Sequence, residues 1–421
     1  MTKIIKTISI LCVMVMLFTS LCAGAPEIHA ASKILPADVS EASPGCTLVG
    51  LRGNFVTQAK AALDKINKIR KEACSKKIRD PRNQSRKLNS NDYVPIKWSS
   101  ELEYQARIRA VESTIYTDHT RPNGRDCFTV VPKTVDCSCE EVLAWSGSEN
   151  MLYGIDLWYT EKSDWVNNTG GVTGHYTSMI NPDNTYVGLG TFISDHGRFS
   201  NSTAGRFSQD ENLDSSVGQS MKNVIQTIEV NNMLLGSTKL KKTKGASKFR
   251  VGKKAELSVI RNINDLNLDS FGYVLALGEN NWSSTKNSVV TVKDGALTFK
   301  KSGKAKIKLK LKSGKTLTYS VKVYPKIPPK TKFKKLTSGK NKVKLKWKKS
   351  KGASGYEIQY STNKYFFGKK TVKVKGGKKT KKTIKGLYSY TKYYFRIRAY
   401  TKSKVGVSRS KWSGKKSKTT K

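Results

Sequence analysis

The stretch Gly174-His-Tyr-Thr-Ser-Met-Ile-Asn-Pro182, followed by Tyr186-Val-Gly-Leu-Gly-Thr-Phe-Ile193, decides the reading of the front half of the chain. Its first piece carries His175, one of only three histidines after residue 31, the others being His119 and His196. Its second piece is rich in β-formers and punctuated by glycine, as a strand packed against helices would be. Working outward, Phe55, Ala59, Ala62, Leu63, Ile66 and Ile69 recur at three-to-four spacing and predict a helix from Asn54. A second helix is expected after Trp98, with Ser99 or Ser100 as N-cap and Leu102, Ala106, Ile108, Ala110, Val111 and Ile115 on its apolar positions. Shorter helices are expected around Glu140–Ala144 and Ile155–Trp165. His119 stands in Asp118-His-Thr-Arg-Pro-Asn-Gly124 at the end of the second helix, whereas His196, in Asp195-His-Gly-Arg198, reads as a surface turn residue.

Beyond about residue 224 the texture becomes β throughout. Runs such as Ala305-Lys-Ile-Lys-Leu-Lys-Leu311 and Val343-Lys-Leu-Lys-Trp347 put apolar residues on one face and lysines on the other. Lys312-Ser-Gly-Lys315 is a turn between two such strands, and Ile327-Pro-Pro329 is a stiff joint between two β blocks. Charge follows the same division. Residues 1–240 hold 26 basic and 25 acidic side chains, residues 241–320 hold 18 and 5, and residues 321–421 hold 34 and 1. The formal net charge of +47 therefore belongs to the rear of the 421-residue chain, which argues against a single uniformly basic nucleic-acid-binding domain. Arginine is scarce there (Arg396, Arg398 and Arg409 in the last 101 residues) and no nucleic-acid recognition motif occurs, so no specific nucleic-acid partner is expected.

Lys3 and Lys6 precede an apolar run from Ile8 to Ala25, with small residues at Ala30 and Ala31. That layout predicts a secretory signal peptide over 1–31 and a chain that works outside the cell or held non-covalently in its wall. Five cysteines follow: Cys46, Cys74, Cys127, Cys137 and Cys139. In an oxidising compartment Cys127 is expected to pair with Cys137 or Cys139 across a short loop, and an odd count leaves one thiol over.

With these pieces in order, residues 51–200 resemble the CAP superfamily (cysteine-rich secretory proteins, antigen 5, plant pathogenesis-related proteins), its bacterial secreted members in particular. The resemblance is carried by Leu63-Asp-Lys-Ile-Asn-Lys-Ile-Arg70, Ile96-Lys-Trp-Ser-Ser-Glu-Leu102, the segment around His119, Ser148-Glu-Asn150, Gly174-His-Tyr-Thr177 and Val187-Gly-Leu-Gly190. It implies an α–β–α sandwich whose cleft holds two histidines and two glutamates, by motif position His119, Glu149, Glu161 and His175. Residues 224–324 resemble bacterial Ig-like domains through Phe249-Arg-Val-Gly252, Val289-Val-Thr-Val292 and Lys301-Ser-Gly-Lys304. Residues 326–421 resemble a fibronectin type III domain, with Trp347 as the buried strand tryptophan and Leu387–Tyr393 as its tyrosine corner. Segments 32–50 and 201–223 read as linkers. The expected architecture is multidomain: an α–β–α sandwich followed by two all-β sandwiches.

Two imidazoles and two carboxylates suit a divalent ion, zinc above others, or a hydrogen-bonded polar cluster that also takes a lipid or peptide. The leading expectation is a binding protein whose lysine-rich tail adheres to anionic cell-wall polymer or host glycan. The alternative is a metal-assisted hydrolase of such polymers. Ser146, Ser148 and Ser178 are its only nearby candidate nucleophiles, and no nucleophile–base–orienter set is evident, which argues against catalysis.

Overall fold

The computed structural model of the chain describes residues 32–131, 139–196, 199–264 and 272–421. The signal segment and Cys137 lie outside these residues.

The front module is built on β1 (Lys33–Leu35), β2 (Cys46–Val56), β3 (Lys97–Trp98), β4 (Cys139–Ser146), β5 (Tyr186–Ser194), β6 (Asn201–Ser208) and β7 (Met221–Asn231). Its strands run β1-β7-β2-β5-β6-β4, with β3 beside the start of β5. One face is covered by α1 (Ala59–Ser75), α3 (Met151–Thr160), α4 (Lys162–Asn167) and α5 (Gly174–Ile180), the other by α2 (Ser100–Ser113). Ala62, Ile66 and Ile69 of α1 meet Val142, Val187, Leu189 and Phe207 on the first face. Ala106, Ala110 and Val111 of α2 meet Leu143, Phe192 and Ala204 on the second. The helix α2 lies almost on the backbone of β5. A Cβ at Gly188 would stand 2.0 Å from the Glu103 nitrogen, and one at Gly190 2.5 Å from that of Arg107. Ser99 caps α2, its hydroxyl accepting the Leu102 N–H as expected.

Four expectations need correction. Residues 32–50 are no linker: they supply β1 and most of β2, and Asp38 is buried against Arg121. Glycines at 50 and 53 interrupt the alternation that would have marked the strand. Asn54–Val56 continue β2, so the first helix begins only at Ala59. Glu140–Ala144 are good helix formers, yet they lie in β4, paired residue for residue with β6, because tertiary pairing overrides weak local preference. Finally, β6 and the start of β7 fall within 201–223, and β7 pairs with β2 from Cys46↔Asn231 to Gly53↔Val224, placing it in the front sheet rather than the next module.

The second module is a sandwich. One sheet comprises β8 (Leu235–Lys244), β9 (Lys254–Ile263), β10 (Tyr273–Ala276), β12 (Val290–Lys293) and β13 (Ala296–Phe299); the other is β11 (Trp282–Ser284), β14 (Gly303–Lys310) and β15 (Thr316–Val323). Leu257, Val290, Phe299, Ile307 and Val323 fill the space between them. The third packs β16 (Phe333–Gly339), β17 (Lys342–Trp347) and β20 (Lys381–Lys385) on β18 (Gly355–Ser361), β19 (Lys370–Lys375), β21 (Lys392–Ser403), β22 (Gly406–Arg409) and β23 (Lys416–Thr419). Trp347 is buried against Tyr356 at 5.3 Å between rings, and the Tyr393 phenol accepts the Tyr388 N–H, the tyrosine-corner bond.

The first two modules share a sheet. Leu275 and Ala276 of β10 pair with Gly50 and Val49 of β2, and Arg52 forms a 2.6 Å ion pair with Glu256. His196, expected at the surface, is buried at this seam. Its Nε2 accepts the Arg52 N–H at 3.1 Å, its Nδ1–H donates to the Tyr273 carbonyl at 2.6 Å, and its ring stacks on Tyr273 at 4.3 Å. Burial is the main reason its pKa falls to about 4, with the charges of Arg52 and Lys241 adding to it against the Tyr273 bond. The unfolded chain therefore binds the proton more tightly. Stability from this residue is complete above pH ~6.5 and is lost as pH falls towards 4, by about 3 kcal/mol in all. Urea titrations of the full chain across that range should show this slope, and His196→Gln should flatten it; equal slopes in both proteins would refute the assignment.

Candidate functional site

The cleft forms at the edge strand β4, where the two layers of helices meet around the end of the sheet. From the α2 side come His119, in the turn after α2, and Glu141 of β4. From the opposite side come Glu161, between α3 and α4, and His175 in the first turn of α5. The two imidazole rings lie 6.1 Å apart, and the buried indole of Trp158 stands 6.4 Å from His175. The His119 side chain is 55% exposed and that of His175 20%, so the site opens to solvent on the His119 side.

Each imidazole is fixed by one carboxylate. His119 Nδ1 is 2.9 Å from Glu141 Oε1, and His175 Nδ1 is 2.5 Å from Glu161 Oε1. An ionised carboxylate only accepts, so both Nδ1 atoms carry a proton, and in the neutral imidazole each Nε2 then holds the lone pair. Glu161 also holds the backbone, since its Oε2 accepts the N–H groups of His175 and Tyr176 and closes the start of α5. Glu141 is more heavily engaged. Arg109 donates to both its oxygens, through Nε at 2.7 Å and Nη2 at 3.0 Å, and Arg206 Nη2 lies 3.1 Å from Oε2. Burial raises its pKa, but the bonds from His119 and Arg109 outweigh that and hold it at about 2. Arg109 also donates to the carbonyls of Asp118 and His119, clamping the histidine's turn, and pairs with Glu112, which in turn pairs with Arg121 and through it Asp38. Three guanidiniums and three carboxylates thus balance in a fully buried network behind His119.

Of the residues expected at the site, His119, Glu161 and His175 converge. Glu149 does not: it is exposed in the turn before α3, and the bonds to the histidines come from Glu141 and Glu161. Glu141 was detectable as a carboxylate on the same strand face as Leu143, where a charge requires a partner, once 140–146 is read as a strand. Cys127 is also close, since His119, Cys127 and Glu141 offer ligand atoms within 4.8 Å of one another. Burial pushes its thiol up to about 11, so with no ion bound its sulfur is protonated at neutral pH. Cys46, Cys74 and Cys127 are all free thiols here; the expected partners of Cys127 are Cys137, outside the described residues, and Cys139, whose side chain is also outside them. The candidate nucleophiles are committed to local bonds: the Ser146 hydroxyl donates to the Ser148 carbonyl and accepts the Ser148 N–H, the Ser148 hydroxyl accepts the Asn150 N–H, and the Ser178 hydroxyl donates to the Gly174 carbonyl within α5.

Residues 63–208 match the family model of the cysteine-rich secretory protein family (CAP), and residues 326–414 that of the fibronectin type III domain. The chain is thus a multidomain protein with a CAP domain in front and a fibronectin type III domain at the rear. No curated protein matches it. Solved structures with some likeness include the fibronectin type III domain of human collagen alpha-1(XX), 19% identical over 22% of this chain and 86% of that one, TM-score 0.18. A two-domain fibronectin type III segment of chicken tenascin is 12% identical over 44% of this chain and 99% of that one, TM-score 0.27. Neither likeness bears on function.

Proposed function

We propose that the protein is a secreted binding protein whose CAP cleft holds a divalent cation, zinc by preference, between His119 and His175. One observation carries the reading: two imidazoles 6.1 Å apart, each with Nδ1 tied to a carboxylate and Nε2 left free. That is the carboxylate–histidine arrangement which fixes tautomer and ring direction at zinc sites and raises ligand basicity. The two Nε2 atoms would supply two ligands of the ion, and solvent on the exposed His119 side would complete its coordination. Glu141 and Glu161 act as positioning residues, since their oxygens are already occupied by guanidinium, imidazole or backbone donors. A bound ion would present a Lewis-acidic face to an anionic or carbonyl-bearing ligand. Ser146, Ser148 and Ser178 spend their hydroxyls on local bonds rather than on either imidazole, which argues against a serine nucleophile in the cleft. The lysine-rich rear modules then hold the chain to an anionic wall polymer or glycan through their field.

Zinc titrated calorimetrically into the full chain should bind at one site, and His119→Ala and His175→Ala should each weaken it by about tenfold or more. Binding that is absent, or indifferent to both substitutions, would refute the cation reading and leave the four side chains as a hydrogen-bonded cluster.

A further inference from the structure

Both outer sheets at the rear alternate exposed lysines with buried residues, on β14 and on β17 alike, and they differ in what stands across the strand: hydroxyls beside β14, further lysines beside Lys342 and Lys346 of β17. On β14 the side chains alternate strictly, with Ala305, Ile307 and Leu309 buried and Lys304, Lys306, Lys308 and Lys310 exposed. Successive exposed lysines are two residues apart, so their Cα atoms recur at about 7 Å, and the four span about 20 Å along the strand. The register places hydroxyls beside them. Lys306 faces Ser320, Lys308 faces Thr318 on one side and Ser283 on the other, and Lys310 faces Thr316; Lys304 faces Lys322. Thr285 is fastened alongside Lys306 by two bonds to its backbone. Thr285, Lys304, Lys306, Ser320 and Lys322 line an open basin of about 510 Å³. No carboxylate occurs on β11, β14 or β15. The aromatic side chains of these strands, Trp282 and Tyr319, sit on the side that packs on the core.

We propose that this face is a docking surface for a linear phosphodiester polymer with an open polyol backbone. The inference rests on the adhesive reading above and locates it. A row of ammonium groups at a regular spacing, flanked by hydroxyl donors, matches a chain that carries one anionic charge per short repeat. Lysine meets each phosphate as a point charge without demanding a planar geometry, which suits a flexible polymer. Polymers with bases are disfavoured because single-stranded nucleic acid is held by stacking on successive aromatic platforms, and the aromatic ring beside this face, Tyr324, is already met by Lys322 and Arg250. The basin at the Lys304–Lys322 end seats one repeat, and the row carries the following ones.

The test uses the full chain and immobilised poly(glycerol phosphate). One variant carries Lys304→Gln, Lys306→Gln, Lys308→Gln and Lys310→Gln. A control removes the same charge from the outer face of the third module with Lys342→Gln, Lys344→Gln, Lys346→Gln and Lys385→Gln. All eight lysines are exposed, and thermal melting verifies that both variants fold. The β14 variant should lose at least about tenfold in affinity and lower the slope of log affinity against log salt by about 3, while the control changes far less. Equal weakening in both variants would overturn the β14 site and leave a general adhesive field. No binding by the unaltered chain would overturn both readings. Tighter binding to a single-stranded oligonucleotide or to heparin than to poly(glycerol phosphate) would overturn the assigned class of polymer.

Discussion

Arg70→Met should lower the stability of the front module by about 4 kcal/mol, read from the urea transition of the full chain. Arg70 is 2% exposed, and its guanidinium donates to five backbone carbonyls: Val94, Met179, Asn181, Pro182 and Asn184. Burial draws its pKa down to about 10, which still leaves it charged at neutral pH. The cation is therefore stabilised by carbonyl dipoles around the end of α5. Methionine would fill the volume and leave those carbonyls without their donor, at a desolvation cost of about 1–3 kcal/mol for each one left unsatisfied. Arg70→Lys keeps the charge but not the planar five-donor fork, and should fall between the two. A change below about 1 kcal/mol in Arg70→Met would show that the loop Asn181–Asn184 is held by other means. If the cleft holds zinc as proposed, its affinity should fall with stability, because these bonds tie α5 to α1 and so set the position of His175.

Glu141→Gln should be nearly as damaging, and Glu149→Gln nearly silent. Removing the Glu141 charge leaves the guanidiniums of Arg109 and Arg206 facing an amide in a site with about 1% exposure. Breaking one partner out of a buried ionic network typically costs about 3–5 kcal/mol. The amide can also offer His119 its NH2 group, which would force the other tautomer, so zinc affinity should drop by about ten- to a hundredfold. Glu149 is exposed, and its substitution should change stability by less than about 0.5 kcal/mol. If Glu149→Gln weakens zinc binding as much as Glu141→Gln does, the cleft has been assigned to the wrong carboxylate.

Those two glutamates also mark where sequence reading stops. Periodicity located α2 with its Ser99 cap, the strand at Tyr186–Ile193 and the alternating strands of the rear modules, because each buries one face and leaves one wet. Glu161 and His175 were legible through the motif positions of the family resemblance, and the structure shows them as one local unit in which the carboxylate holds both the start of α5 and its first-turn imidazole. Glu141 was not, because Glu140–Ala144 has the composition of a helix and becomes a strand only through pairing with β6, about 60 residues away. The same reason hid β2, whose partners lie at residues 191–194, 221–231 and 275–276. His196 looked like a turn residue because its burial is supplied by Tyr273, a contact no local pattern records. The buried arginines were likewise indistinguishable from surface ones until their partners were placed.

The position of β2 has a consequence for how the chain reaches its folded state. A chain that emerges from its N-terminus delivers Cys46–Val56 early, yet the first long partner of that strand, β5, arrives some 130 residues later and β7 some 170 later. The β10 pairing with Gly50 waits for residue 275. Such separations make loop closure slow and raise the kinetic barrier, since the entropy of closing must be spent before the contacts form. Until then α1 and α2 have apolar faces and no completed sheet to cover. The front module therefore ripens as a late, cooperative event timed by the arrival of β7, and a chain interrupted anywhere before residue 231 should be a substrate for proteases and chaperones rather than a smaller working protein.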